Sequence, residues 1–279
     1  MAKTAGFCFG VKRAVEMVYD NTGKSNVYTY GPIIHNEEVV RDLEERGVKV
    51  LHSLEEVKNA SPGTVIIRAH GILQEEYEAI GACGHDVVDA TCPFVLKIHK
   101  IVKEASGNGD TIVIVGDEKH PEVMGIKSCA TTECYVVNTI EDAKELVSKE
   151  KFVEKKLCIV SQTTFNYNKF KDIVEIFTKN SYHKSNVLNT ICNATEERQK
   201  EAASIAADVD AMIVIGGLSS SNTQKLYDIC SKLCKNTFYI QTASDMDFSS
   251  IRGLDKVGIT AGASTPKKII EEVQTKCQN

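Results

Sequence analysis

The sequence predicts an α/β protein made of three pseudo-symmetric α/β units, with mainly parallel sheets around a common centre. Three observations carry this reading. Cys8, Cys92 and Cys192 each open a helical stretch, in the strings GFCFGVKRAVEMV, ATCPFVLKIHKIV and TICNATEERQKEAASIA. An apolar strand follows each helix, running NVYTYG, DTIVIVG and DAMIVIGG, and ends in glycine before a polar loop. The spacing agrees between copies: His35, His120 and Ser220 lie 27, 28 and 28 residues after their cysteines, the self-similarity expected of a repeat.

The rest of each unit follows in the same order. The loops GPIIHNEE, GDEKHPEV and GLSSSNTQ come after the first strands. A second short strand, VKVLHS, CYVVNT or FYIQT, leads to a helix start at Ser53, Thr139 or Thr242. Glu56, Asp142 or Asp245 stands three residues on, a capping-box pattern in which aspartate replaces the usual glutamate twice. A last strand, TVIIRAHG, LCIVSQTT or GITAGAS, closes the unit on His70, on Thr163 and Thr164, or on Ser264. His70, Thr163 and Ser264 lie 62, 71 and 72 residues after their cysteines, so the first unit is the shorter. Alternating strands and helices argue for parallel sheets, which place ligands beyond the carboxyl ends of their strands. All the polar loops are then expected to face the cysteines. The expected units are 10–92, 93–188, and 189–279 joined by 1–9.

Composition narrows the function classes. Net charge is −5, with no basic run and no aromatic-basic interleaving, which argues against a nucleic-acid partner. No apolar h-region opens the chain, and no apolar run approaches the roughly 18 residues of a membrane span. A cytoplasmic protein without a membrane partner is expected, and its ten cysteines are then expected as thiols or ligands, not disulfides. Neither a phosphate-binding P-loop nor a G-x-G-x-x-G motif is present, so a nucleoside triphosphate or nicotinamide dinucleotide site is not expected.

Seven of the cysteines are read as incidental. Cys129 with Cys134 and Cys230 with Cys234 are close pairs of unlike spacing, without the C-x-x-C of a zinc ribbon. Cys158 and Cys230 sit in apolar contexts, and Cys83 and Cys277 in a loop and at the terminus. Cys8, Cys92 and Cys192 differ because the repeat brings them to equivalent positions. Three thiolates around one axis suit a [4Fe-4S] cluster, which commonly takes four; three leave one iron open to act as a Lewis acid on a substrate oxygen. Zinc, which also accepts three protein ligands plus water, ranks second.

The loops describe what sits beside such a cluster. His35, His70 and His120 follow strands, together with Ser220, Ser221, Asn222 and Ser264. Imidazoles, hydroxyls, a carboxamide and helix N-termini form a cradle for phosphate oxygens, and a bound polyanion would favour imidazolium. Helix capping and ordinary loop surface are the plainer roles for each residue taken singly. Glu122 follows Pro121, which suits the first turn of a helix; it is also placed to be a proton donor, with a pKa raised by burial.

The strings GFCFGVKRAV, PIIHN, RAHG, DATCP, HPEV, SQTT, TICNAT with the RQ that follows, SSSN and TAGAS run in order across nearly the whole chain. In them the chain resembles the 4-hydroxy-3-methylbut-2-enyl diphosphate reductases, also called the penicillin-tolerance protein family, the last enzymes of the methylerythritol phosphate route to isoprenoids. The resemblance implies three α/β units around one [4Fe-4S] cluster per chain, bound by Cys8, Cys92 and Cys192 with the fourth iron open to substrate. It implies that His35, His70, Ser220, Ser221, Asn222 and Ser264 hold the substrate diphosphate, with His120 close by. Glu122 would be the proton source, and Thr163 its partner in positioning the substrate alcohol; Thr163 is chosen over Thr164 on the repeat register. The implied reaction removes the C4 hydroxyl of the allylic diphosphate with two electrons and protons, giving isopentenyl and dimethylallyl diphosphates. A ferredoxin or flavodoxin is the implied electron donor. Family members usually begin with an apolar strand, whereas only MAKTA precedes Gly6; a leading strand is expected to be short or missing, and no appended domain is expected after TAGAS. Three rivals compete: a quinolinate synthase with the same plan of one cysteine per unit, a non-catalytic iron-sulfur sensor, and an α/β protein with no cluster.

Overall fold

The computed structural model describes residues 1–149, 152, 155–179 and 185–278. Its first section runs α1 (Phe9–Tyr19), β1 (Val27–Tyr30), α2 (Glu37–Glu45), β2 (Lys49–Leu51), α3 (Leu54–Asn59), β3 (Thr64–Ile67), α4 (Gln74–Ala82) and β4 (Asp86–Asp89). The second runs α5 (Pro93–Gly107), β5 (Thr111–Val115), α6 (Pro121–Ser128), β6 (Cys134–Val137), α7 (Ile140–Val147), β7 (Leu157–Ser161), α8 (Tyr167–Lys179) and β8 (Asn186–Val187). The third runs α9 (Asn193–Ala206), β9 (Ala211–Ile215), α10 (Ser221–Leu233), β10 (Thr237–Ile240), 3-10 turns at Ala243–Asp245 and Phe248–Ile251, β11 (Val257–Ala261) and α11 (Lys267–Gln278).

Three separate sheets result, ordered β2-β1-β3-β4, β6-β5-β7-β8 and β10-β9-β11, and every pairing in them is parallel. The strands β5, β7 and β9 are buried along their whole length. Helices cover both faces of such a sheet, which is why its strands read as continuous apolar runs. In the middle sheet, Ile112, Ile114, Cys158 and Val160 pack with Ile98 and Val102 of α5 and with Val123 and Ile126 of α6. Val113, Val115, Leu157 and Ile159 face the other way, onto Phe170, Ile173 and Phe177 of α8. This is the two-residue alternation of a strand meeting the three- and four-residue spacing of helices. Phe177 is fully buried, and Phe177→Ala there would cost about 3–5 kcal/mol in lost burial and cavity formation.

Strand ends are in the same register in all three sheets: Tyr30 pairs with Ile67, Val115 with Ser161 and Ile215 with Ala261. Each first strand is followed by a glycine whose amide bonds to the second strand, Gly31 to Leu51, Gly116 to Val137 and Gly216 to Ile240. Capping recurs as the sequence predicts: Ser53 Oγ accepts from the Glu56 amide, and Asp142 and Asp245 accept from the amides of Thr139 and Thr242.

Three departures are physical in origin. Thr242 starts a 3-10 turn, not an α-helix. The first two sheets gain a fourth strand, β4 and β8, each led in by an extra helix. The β4 string DVVD has charged ends and partly exposed residues, and β8 is two residues long, so neither shows the apolar run of the inner strands. Cys83 is not in a loop but caps the C-terminus of α4, and Cys277 lies in the last turn of α11, packed on the third core. In keeping with the expected short or missing leading strand, residues 1–8 form no strand; the segment is held to the third sheet by the Ala2 amide, which donates to the Ile259 carbonyl at 2.8 Å. No helix among the described residues is long and apolar enough to cross a membrane.

Candidate active site

Cys8, Cys92 and Cys192 occupy the N-cap positions of α1, α5 and α9. Each cysteine amide donates to a carbonyl in the loop that follows the last repeat strand of a sheet. Cys92 bonds to Ala69 at 2.9 Å, Cys192 to Thr163 at 3.0 Å and Cys8 to Ala263 at 3.2 Å. The third of these bonds joins the start of the chain to its last sheet, so the three cysteines close a ring. All ten cysteines are free thiols.

The three cysteine side chains line one partly open cavity. His35, His70, His120, Glu122, Thr163, Ser220, Ser221, Asn222 and Ser264 line the same cavity, so every site residue expected from the sequence is brought there. Parallel strands deliver all their carboxyl-end loops to one edge, and three such edges meet. Close approach depends on glycine. A Cβ on Gly10 would overlap the Cys92 sulfur, and a Cβ on Gly217 would lie 2.7 Å from the His35 carbonyl oxygen.

The thiols of Cys92 and Cys192 are raised in pKa chiefly by burial. The first-turn amides of Phe94 and Val95, and of Ala194 and Thr195, oppose that rise. Helix N-termini carry partial positive charge and favour an anion, as an iron-sulfur cluster with thiolate ligands requires. Three thiols at helix N-termini around one cavity are a donor set that fits an anionic iron-sulfur group. The ligand atoms of His35, His70 and His120 also lie within 4.8 Å of one another.

The histidines form a compact triad, with ring centroids at 4.4 Å for His35 and His70, 5.6 Å for His35 and His120, and 5.5 Å for His70 and His120. Burial, before any charge effect, lowers the pKa of all three, that of His120 to about 4. Arg68 also disfavours a proton on each. His120 Nδ1 accepts from the Glu122 amide at 3.2 Å, so in the neutral ring the proton sits on Nε2 as a donor. His35 Nε2, His70 Nδ1 and both side-chain polar atoms of Asn222 are buried without a hydrogen-bond partner. Buried polar atoms are normally satisfied; a ligand with several acceptor and donor oxygens would satisfy these. Ser220 and Ser264 complete the cradle, the Ser264 hydroxyl donating to the His35 carbonyl at 3.1 Å.

Glu122 is 1 % exposed and stands in the first turn of α6, after Pro121. Its carboxylate accepts from the Thr163 amide at 2.6 Å and from the Thr163 hydroxyl at 2.7 Å. Burial raises its pKa, and the two Thr163 donors pull against that rise. Thr164 Oγ1 instead bonds Ser221 Oγ at 3.1 Å. The strand registers correct one step of the sequence reading. They make Thr164, not Thr163, the equivalent of His70 and Ser264. Thr163 is set apart by its two bonds to Glu122, a contact that no repeat spacing could reveal.

Two residues of the site were not given a role from sequence. Arg198 and Gln199 form the RQ pair of α9, and both are buried. Gln199 holds the Phe165 carbonyl and the Tyr167 amide, fixing the chain just beyond Thr163. The signal was available: Arg198 shares the inward stripe of α9 with Thr195, Ala202 and Ala206, where an arginine is out of place.

A family model described as LytB protein matches residues 1–278. A 4-hydroxy-3-methylbut-2-enyl diphosphate reductase of Caldanaerobacter subterraneus subsp. tengcongensis is 47% identical, over 100% of this chain and 96% of that protein. The protein of the same name from Geobacter sulfurreducens is likewise 47% identical, with the same coverage. Among solved structures, an (E)-4-hydroxy-3-methyl-but-2-enyl diphosphate reductase, described as the terminal enzyme of the non-mevalonate pathway, is 42% identical with a TM-score of 0.70, over 99% of this chain and 97% of that one. The E-1-hydroxy-2-methyl-but-2-enyl-4-diphosphate reductase from Plasmodium falciparum is 30% identical with a TM-score of 0.91, over 99% of this chain and 86% of that one. With cysteine ring, histidine triad and sequence in agreement from end to end, the chain belongs to the LytB family.

Proposed function

We propose that this chain is an iron-sulfur oxidoreductase that removes the C4 hydroxyl of (E)-4-hydroxy-3-methylbut-2-enyl diphosphate, giving isopentenyl and dimethylallyl diphosphates as the last step of non-mevalonate isoprenoid synthesis. The observation that carries it is the meeting, in one cavity, of three thiols at helix N-cap positions, an unsatisfied imidazole and carboxamide cradle, and a buried carboxyl held by Thr163. Cys8, Cys92 and Cys192 would hold one [4Fe-4S] cluster per chain. When bound, it would supply electrons and an iron with no protein ligand as a Lewis acid.

The chain's own residues then divide the work. His35, His70, Ser220, Ser221, Asn222 and Ser264 bind the diphosphate, and His120 donates to it through Nε2. Those contacts fix the alcohol end of the substrate near Glu122 and Thr163. Glu122, which burial disposes to take up a proton, gives that proton to Thr163 Oγ1, and the Thr163 hydroxyl turns its own proton to the substrate oxygen. The C4–O bond breaks, the hydroxyl leaves as water, and two external electrons remain on the allyl carbons. A second proton, for which the diphosphate is the nearest acid at one end, decides which product forms.

We further propose the unit boundaries 10–92, 93–188, and 189–279 with 1–9, which the Ala2–Ile259 bond supports. A ferredoxin or flavodoxin is the proposed electron donor and the cytoplasm the proposed location. The test is an anaerobic assay of the iron-loaded protein with the hydroxylated allylic diphosphate and reduced methyl viologen. Four irons per chain and both five-carbon products are expected. An iron-replete protein without turnover would favour the quinolinate synthase or sensor reading.

A further inference from the structure

We infer that Arg198 tunes the redox centre: its buried guanidinium supplies the positive charge, and one N–H donor, that the anionic cluster and its thiolates need. This rests on the cluster reading above and assigns the charge that balances it. Arg198 is 3 % exposed and lines the cavity shared by the cysteines. Its Nε donates to the Thr4 carbonyl at 3.0 Å and its Nη2 to the Gly6 carbonyl at 2.7 Å, just ahead of Cys8. Its Nη1 is buried and has no partner.

A guanidinium cannot shed its proton, so it stays charged when buried. A buried charge is costly unless it is paired. No carboxylate among the described residues pairs with Arg198. Glu201, the one acid that acts on it, is occupied by the amides of Lys3 and Thr4. The Cys8 and Cys192 thiols act on the guanidinium more strongly than Glu201 does. An uncompensated cation with a free N–H, fixed by two carbonyls near the Cys8 and Cys192 thiols, is therefore matched to a negative group held by the cysteine ring. Cluster potentials depend on net charge, hydrogen bonds to sulfur and burial. The reduced cluster carries one more negative charge than the oxidised one, so a nearby fixed cation favours reduction. The role assigned to Arg198 is exerted through the cluster and not on the reacting carbon, which makes it a positioning residue.

The experiment is a redox titration followed by electron paramagnetic resonance on iron-loaded wild type, Arg198→Gln and Arg198→Lys. Removing the charge in Arg198→Gln is expected to shift the reduction equilibrium at least tenfold toward the oxidised form, about 59 mV more negative for a one-electron couple. Arg198→Lys keeps the charge and is expected to stay within about threefold of wild type. A residue that only clamped Thr4 and Gly6 would lower the melting temperature in both variants and leave the potential unmoved, and that result overturns the inference. Should Arg198→Gln fail to retain iron, wild type grown with 15N-arginine decides: the reduced cluster is expected to show a 15N coupling that is lost in Arg198→Lys, and its absence in wild type overturns the inference. Wild-type protein that binds no iron would overturn the cluster reading itself, a different outcome from an iron-replete protein with unshifted variants.

Discussion

Thr163 grips Glu122 at both carboxylate oxygens, with its amide on Oε1 and its hydroxyl on Oε2. The two residues come from α6 and from the loop after β7, and among the described residues no cation pairs with either carboxylate oxygen. Burial favours the protonated form of such a carboxyl, and one hydroxyl stands ready to pass the proton on. Glu122→Gln preserves size and burial but has no proton to give. Turnover should fall about 100- to 10,000-fold, the usual worth of a general acid, while iron content and the cluster spectrum stay as in wild type. Near-normal turnover would remove Glu122 from the proton path.

The pH response has a definite sign. Burial holds the folded pKa of Glu122 above its ordinary value of 4.5, so the folded state binds this proton more tightly than the unfolded chain does. The stability it contributes is complete below about pH 4.5 and is lost as pH rises through the folded value. Glutamine does not titrate. The melting temperature of Glu122→Gln relative to wild type should therefore improve from pH 4 to pH 8. Thr163→Val removes one donor to the charged form and should raise the carboxyl further, but it also removes the relay hydroxyl, so turnover should fall about 100- to 10,000-fold, as in Glu122→Gln.

The histidine triad should couple anion binding to protons. In the free protein burial depresses all three pKa values, from 6.5 to about 4 for His120. The unfolded chain thus binds more protons, and stability falls as pH drops from about 6.5 towards 4. A diphosphate in the cradle reverses the preference and favours imidazolium. Inorganic pyrophosphate should bind with proton uptake and more weakly at pH 8 than at pH 6. Calorimetry in two buffers of different ionisation enthalpy reads the proton count, and an uptake of zero would count against the cradle.

Position, not number, separates the cysteines. Serine at Cys8, Cys92 or Cys192 should each lower iron retention severely. Serine at Cys129 or Cys134, which line no part of the cavity, should leave iron content unchanged. Iron and sulfide analysis after anaerobic loading checks both halves.

Gly10→Ala tests the packing of the ring. The new methyl group would meet Sγ, Cβ and Cα of Cys92. Either the sulfur turns out of the ring or α1 or α5 must move. Iron retention should drop at least severalfold, with the helical circular dichroism signal close to that of wild type.

The sequence alone determined the cysteine helices, the inner strands and the loops that follow them, because each is a local pattern: apolar runs, a closing glycine, a capping pair. It also fixed which residues reach the cavity, since parallel strands send their carboxyl-end loops to one edge and the register of the repeat carries over. The edge strands β4 and β8 lacked that local signal and were legible only through their pairing. Tertiary structure decided what depends on meeting across units: Thr163 and not Thr164 on Glu122, Gly10 against Cys92, the Nδ1 acceptor of His120, and the free Nη1 of Arg198 beside the thiols. Pair contacts of this kind join residues far apart in the chain, and their energies come from burial and charge that exist only once three sheets have closed around one point.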